Sequence, residues 1–472
     1  MSFIKDFCQV ESNEISLVGG KGASLATMTQ AGFPVPPGFI VLTTAFEYFI
    51  RENKLDIAIK SILQFLDYKK THVIESAAAK IQAMIMCEEM PQKIKNEIMH
   101  YCSALDSRNM AVRSSATVED SEQLNWAGQF ESYINTPHDK LFHNIQRCWA
   151  SLFSPRAIFY RFKNNLQKKK ISMAVIVQKM IHSQVSGTAF SMNPLTNNTN
   201  CIMIESVFGL GEALASGYIT PDSYLVHKSN FSLIKKEIYT QEKTIIQSPS
   251  GGNEWCQLPI EKGQCQKLPD NDIVRLSKII RAIEKLYPIP INIEWAKEKE
   301  HFYLLQSRPI TSNIPGRDHN KKTESGLFSY GAYTANLLAN NATYHRPQTF
   351  NGIPVSRGIT KGKVRLILYK DEIHKLQTGE ILVTEIATPE LISAIHKAAA
   401  IITDEGGQES HLAIFLSREM QKPCIIGTKI ATKFLQNGDL IEVNGDKGSV
   451  SILEHQHTIL GNTEQDLKLF DL

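Results

Sequence analysis

No apolar run in this sequence reaches the length needed to cross a bilayer, which argues against a helical membrane protein. The opening run Met1-Ser2-Phe3-Ile4-Lys5-Asp6 lacks the basic-then-apolar pattern of a signal peptide, so a cytoplasmic location is expected. Charge of one sign is also missing. The 51 Lys and Arg against 48 Asp and Glu leave a net +3, too weak to predict a nucleic-acid or anionic-membrane partner. Lys168-Lys169-Lys170 and Lys321-Lys322 read as solvated surface. The eight cysteines are scattered without a CxxC, and the closest pair is Cys256 and Cys265. That spacing predicts reduced thiols rather than a zinc site or a disulfide framework. The Walker A pattern GxxxxGK[ST] occurs nowhere, which excludes that route to phosphate binding.

The chain that remains is ordinary in bulk: 42% apolar, 21% charged and long enough at 472 residues for about three domains. Its information lies in short runs. Leu17-Val18-Gly19-Gly20-Lys21-Gly22-Ala23-Ser24-Leu25 sets three glycines and a lysine before a helix expected over 23–29. Glycines let backbone approach a phosphate, and the lysine adds a point charge. Gly32-Phe33-Pro34-Val35-Pro36-Pro37-Gly38-Phe39 is a rigid lead into a strand at 39–42, and apolar spacing of three and four predicts helices over 45–105. Met110-Ala111-Val112-Arg113-Ser114-Ser115-Ala116 reads as a strand breaking into a hydroxyl-rich loop. Arg113 beside serines suits a polyphosphate, because its planar fork holds two oxygens. Trp126-Ala127-Gly128-Gln129-Phe130-Glu131-Ser132-Tyr133 could close over a nucleotide. Residues 174–180 read as a buried strand, and 185–191 as a small-residue turn and strand.

Residues 291–296 and 302–309 are expected to form a hairpin. Its alternation sets Glu294 on one face, with Gln306 and Arg308 together on one face of the partner strand. A carboxylate opposite an amide oxygen is a hard-cation pattern suited to Mg²⁺ on a phosphate chain. Near the C-terminus an apolar run, 398–402, ends in Thr403-Asp404-Glu405-Gly406-Gly407-Gln408-Glu409-Ser410-His411. His411 would open a helix running to about residue 420, where free N–H groups and the helix dipole favour negative charge beside its ring.

Taken in order, GGKGASLATM, PVPPGF, AVRSSATVED, WAGQFESY, SGTAFSMNP, FGLGEALASGYITPD, INIEW and LLQSRPIT resemble the ATP-binding domain of phosphoenolpyruvate synthase, pyruvate phosphate dikinase and rifampicin phosphotransferase. That resemblance implies an ATP-grasp domain over 1–312. A second resemblance, over 351–455, is to the swivelling phosphohistidine domain of the same enzymes, so the fold class expected is α+β and α/β. Residues 313–350 would be a linker with one helix near 333–338, and 456–472 a tail. The resemblance implies that Lys21 and Arg113 hold ATP phosphates, that Gly128 and Ser132 lie in the closing loop, and that Gln178 lies near adenine. Glu294 and Gln306 would hold Mg²⁺, Arg308 would neutralise the transferred group, and His411 would carry phosphate.

The chain departs from the family at three points. Asn292 stands where a carboxylate often precedes Ile-Glu, and Glu409 where relatives often have threonine, so control through that threonine is not available. The segments at 313–350 and 456–472 are too short for the large acceptor domains of the family, so pyruvate phosphorylation by this chain alone is not expected. The activity implied is a phosphotransferase that charges His411 from ATP, releases AMP and phosphate, and serves a small-molecule acceptor. Two alternatives stand beside it: a split system whose acceptor site lies on a partner protein, and a nucleotide-sensing module without catalysis.

Overall fold

The computed structural model describes residues 2–68, 70–118, 126, 130–167, 169–194, 196–215, 217–248, 252–310, 348–388, 391–406 and 421–455. Two compact units separate, one comprising the residues up to 316 with a short later segment, the other most of the residues from 317 onward.

The first unit begins with a sheet of β1 (Ile4–Asp6), β2 (Gly38–Val41), β3 (Asn109–Ala116), β4 (Ser132–Pro137) and β5 (Met173–Lys179), in the order β1-β2-β5-β3-β4. The sequence Met-Ala-Val-Ile-Val-Gln-Lys of β5 is almost wholly buried, as its central place requires. The second sheet runs β13-β12-β6-β7-β8-β9. Its strands are β6 (Val185–Phe190), β7 (Cys201–Phe208), β8 (Asp222–His227) and β9 (Leu233–Glu237), a separate two-stranded hairpin of β10 (Lys243–Gln247) and β11 (Asn253–Gln257) intervening, then β12 (Ile291–Glu298) and β13 (His301–Pro309). Exposed Lys235 and Lys236 on the edge strand β9 discourage further strand pairing. The expected 185–191 turn and strand is a strand from Val185 onward, fully buried. Helices Thr43–Glu52, Leu55–Gln64, Thr71–Cys87 and Gln92–Ser103 occupy the segment where helices were expected.

The glycine run differs from its expected form. The helix spans Ile15–Gln30 and already contains Lys21, with a break at Gly19, where φ is +70°. A side chain at Gly19 would lie 2.2 Å from the Ser115 carbonyl oxygen. Only glycine meets both demands, the left-handed backbone and the close approach. The break frees N–H groups, and Gly22 N–H donates to Ser115 Oγ at 3.0 Å. Ser115 Oγ in turn donates to the Val18 carbonyl at 2.8 Å. The glycine run and the Arg-Ser-Ser run are thereby stitched together. One core fills the space between helix Ile15–Gln30, helix Asp270–Glu284 and the second sheet, with Trp295, Ile293 and Tyr224 fully buried in it.

The second unit is an eight-stranded sheet in the order β14-β21-β20-β16-β17-β18-β19-β15. Its strands are β14 (Thr349–Asn351), β15 (Ile353–Ser356), β16 (Ile359–Leu366), β17 (Ile381–Thr384), β18 (Ala400–Thr403), β19 (Cys424–Ile426), β20 (Leu440–Asn444) and β21 (Ser449–Glu454). From β16 to β19 neighbours are parallel. Continuous apolar runs in β17, β18 and β19 are buried throughout, as a covered parallel sheet demands, whereas β20 and β21 alternate and pair antiparallel. The mixed α/β architecture of both units agrees with the fold class expected.

Candidate functional site

A cavity of about 700 Å³ lies in the first unit between its two sheets. Lys21, Arg113, Ser132, Gln178, Glu294, Gln306 and Arg308 all line it. Seven of the nine residues singled out from sequence therefore meet in one place. Gly128 and His411 lie outside the described residues, as do Glu409, the helix expected from 411 and the linker helix near 333–338.

The geometry starts from the β12–β13 hairpin. Glu294 and Gln306 are register partners, so their side chains share a face, and Asn292 stands opposite Arg308 two residues along. Just after Glu294 the register shifts: Trp295 pairs with Leu304, leaving Leu305 as an extra residue on β13. Such a bulge takes a carbonyl out of the ladder. The freed Leu305 oxygen accepts a short hydrogen bond from Arg113 Nη1. Arg113 Nη2 donates to Glu294 Oε2 at 2.9 Å and to Gln306 Oε1 at 3.1 Å. Thus one guanidinium, carried on β3 of the first sheet, bridges three acceptors on the second. Lys21 Nζ donates to the Ser114 carbonyl at 3.0 Å, one residue from Arg113.

Around the single carboxylate of Glu294 stand Arg113, Arg308 and Lys21. Burial pushes its pKa upward, but the three cations and the Arg113 hydrogen bond outweigh burial and hold the carboxyl below the usual glutamate value. Three cations to one carboxylate leave an excess of positive charge on the cavity wall, suited to a polyanion. Asn292 spends its amide on structure, donating from Nδ2 to Thr188 Oγ1 at 2.9 Å. Gln178 is buried, and its Nε2 donates to the Pro36 carbonyl at 3.1 Å.

Some lining residues were not singled out. Thr188 is the register partner of Glu294 on β6, and Glu212 and Asn253 also reach the cavity. Thr188 was accessible to strand alternation once β6 was paired with β12. Asn253 had no local signal, because only the folded hairpin brings it there.

In the second unit the strand leading to the histidine run is tightly fixed. Asp404, just past β18, accepts from Thr428 Oγ1 at 2.7 Å, from the Ala431 N–H at 2.6 Å and from the Thr432 N–H at 3.1 Å. Its carboxylate is consumed by scaffolding. The run departs from the carboxyl end of a parallel strand, the edge at which open α/β sheets carry their functional loops. Among the described residues no helix is long and apolar enough to cross a membrane.

Residues 15–326 match the family described as pyruvate phosphate dikinase, AMP/ATP-binding domain, and residues 376–448 match PEP-utilising enzyme, mobile domain. A phosphoenolpyruvate synthase of Pyrococcus furiosus is 36% identical over 495 residues, covering 95% of this chain and 58% of the relative. A probable phosphoenolpyruvate synthase of Archaeoglobus fulgidus is 39% identical over 461 residues, covering 93% and 57%. One from Methanocaldococcus jannaschii is 36% identical over 456 residues, covering 94% and 36%. The chain spans about half the length, or less, of these curated relatives.

Proposed function

The chain belongs to the pyruvate phosphate dikinase AMP/ATP-binding family, and from that premise we propose that it is a phosphotransferase that charges His411 with phosphate from ATP. AMP and inorganic phosphate leave, and the phosphoryl group passes from the ring to a small-molecule acceptor. The observation that carries this reading is the convergence of Lys21, Arg113 and Arg308 on a cavity that also holds Glu294 and Gln306. Phosphoryl transfer is limited by positioning and by charge spread over the phosphate oxygens, and a wall with excess positive charge answers both needs.

Arg113 has a double part. Its fork is bound to Glu294, Gln306 and the Leu305 carbonyl, and a polyphosphate would compete with them for the same N–H groups. Lys21 adds a point charge from the first helical turn after the Gly19 break, and Arg308 stands on the face shared with Gln306. The donor set fits Mg²⁺: Glu294 supplies an ionised carboxylate and Gln306 an amide oxygen from opposed positions, once Arg113 turns toward phosphate. The cation would neutralise charge on the phosphate chain. Ser132, on the exposed end of β4 opposite Arg113, fits the closing segment. The role of His411 rests on the sequence run and the family. Its neutral ring nitrogen attacks the middle phosphorus of ATP while the bond to AMP breaks, water then takes off the terminal group as inorganic phosphate, and the remaining phosphoramidate can be transferred onward.

Incubation with Mg²⁺-ATP should add an acid-labile phosphoryl group to the intact protein and release AMP, and His411→Ala should abolish both. AMP release that rises with one compound in a panel of small acceptors would identify the acceptor. Unchanged mass and no AMP from the native protein would overturn the reading.

A further inference from the structure

The hairpin β10–β11 is held at its root and again near its far end. At the root, Leu210 N–H donates to the Ile245 carbonyl at 3.1 Å and Thr244 Oγ1 donates to the Phe208 carbonyl at 2.6 Å. Gly209, with φ +84°, fits there because a side chain would lie 2.1 Å from Thr244 Oγ1. These ties belong to the second sheet. At its far end the hairpin reaches β4, in the first sheet, through Asn135. The Asn135 Nδ2 group donates to the Gly252 carbonyl and, at 3.3 Å, to the Ser248 carbonyl, and Gly252 N–H donates back to the Asn135 carbonyl at 3.3 Å.

Asn135 is prepared for this. It is 1% exposed and holds φ at +54°, a left-handed backbone that asparagine tolerates better than most residues. Asn109 Nδ2 donates to Asn135 Oδ1 at 2.5 Å, which turns the amide so that its donor side faces the hairpin. Gly252 and Asn253 line the cavity, as does Asn135 itself. Asn253 Nδ2 donates to Glu212 Oε2 at 2.6 Å, tying the same wall to another lining segment.

We propose that Asn135 is a positioning residue for nucleotide binding, a latch that holds the β10–β11 hairpin as one wall of the cavity across its two sheets. This rests on the reading that the cavity takes a nucleotide. Neutral amide hydrogen bonds are individually weak and reopen readily, so the latch closes the wall without sealing it. Bound nucleotide favours the latched state, and unlatching speeds its exit. The latch therefore acts on nucleotide residence and leaves the phosphate-binding cations as they are.

Two substitutions remove the donor to the two hairpin carbonyls and tolerate left-handed backbone. Asn135→Asp keeps the side-chain shape and the acceptor for Asn109, and Asn135→Gly adds no negative charge to the cavity, so faster exit shared by both reports the latch and not repulsion of the ligand. Stopped-flow dissociation of a fluorescent ATP analogue with Mg²⁺, on the full chain, should be about tenfold faster in both variants, the size expected from losing hydrogen bonds of this kind. KM for ATP should rise in step while kcat stays within about twofold. A variant with lowered melting temperature but native dissociation rate would make Asn135 merely structural and overturn the proposal. Hydrogen exchange on the native protein gives a second reading that needs no variant. Saturating nucleotide should slow exchange of the Gly252 amide about tenfold, the signature of a latch held shut, and unchanged exchange would contradict it. Native protein that binds no nucleotide would overturn the reading of the cavity and the latch together. Native binding with unaltered dissociation in either variant would overturn the latch alone.

Discussion

Lys267 and Asp222 form an ion pair with both side chains at 0% exposure, whereas Arg113 and Glu294 form one whose carboxylate keeps 37% exposure on the cavity. Around Asp222 every partner is internal. Lys267 Nζ and the Tyr239 N–H reach Oδ1 at 2.8 Å and 3.0 Å, while the Lys267 N–H and Tyr224 hydroxyl each reach Oδ2 at 2.9 Å. Burial, and then the neighbouring Asp222 carboxylate, push the Tyr224 hydroxyl pKa upward, so that group stays a donor. Glu294 instead stands among three cations on a wall that a ligand can reach. The same pairing of charges is closed scaffolding where every donor is spent, and open to a ligand where positive charge remains in excess beside a cavity.

That contrast should separate stability from activity. Asp222→Ala leaves the Lys267 ammonium buried without its counter-charge, a change that typically costs about 3–5 kcal/mol. Urea unfolding should show the loss as a lowered midpoint, with the cations of the cavity untouched. Glu294→Gln should do the opposite. ATP turnover should fall on the order of 100-fold or more, while the free energy of unfolding changes by no more than about 1 kcal/mol, as for a partly exposed pair. If Glu294→Gln unfolded the protein, or Asp222→Ala left its stability unchanged, the division between the two pairs would fail.

A smaller effect is read from the pH dependence of Glu294. The Glu294 carboxyl is held below its usual value, so its contribution to stability is fully present above the unfolded-state pKa and lost as pH falls through the lower folded one. Between pH 5 and pH 8, about the neutral range, Glu294 should stay ionised, and titration there should trace other groups. Carbon-detected NMR titration of the Glu294 carboxyl should give a midpoint below that of a model glutamate, and a midpoint above it would show that burial outweighs the cations.

Much of this site was legible because its signals are local. Arg113 stands beside serines, Glu294 and Gln306 alternate on a short hairpin, and Lys21 follows two glycines, all visible within a few residues, although β3 runs on through both serines where a loop was expected. The bulge at Leu305 was not legible, since it appears only when β12 and β13 are paired and one residue is left over. Nor was the break at Gly19 within one longer helix, because its cause is the distant Ser115 carbonyl. Asn135 carried no motif at all. Its left-handed backbone acquires meaning only when a hairpin more than a hundred residues later folds against it. Composition and order identify groups that come to line one cavity; they are silent about the long-range contacts that hold those groups in place.

The central claim is that the positive cavity serves covalent transfer to His411. Intact-protein mass spectrometry after incubation with Mg²⁺-ATP tests it most directly, run on native protein, Glu294→Gln and His411→Ala. The account predicts an acid-labile phosphoryl adduct on the native chain, far less on Glu294→Gln and none on His411→Ala. An adduct of native size on His411→Ala, or none on native protein that binds ATP, would contradict it.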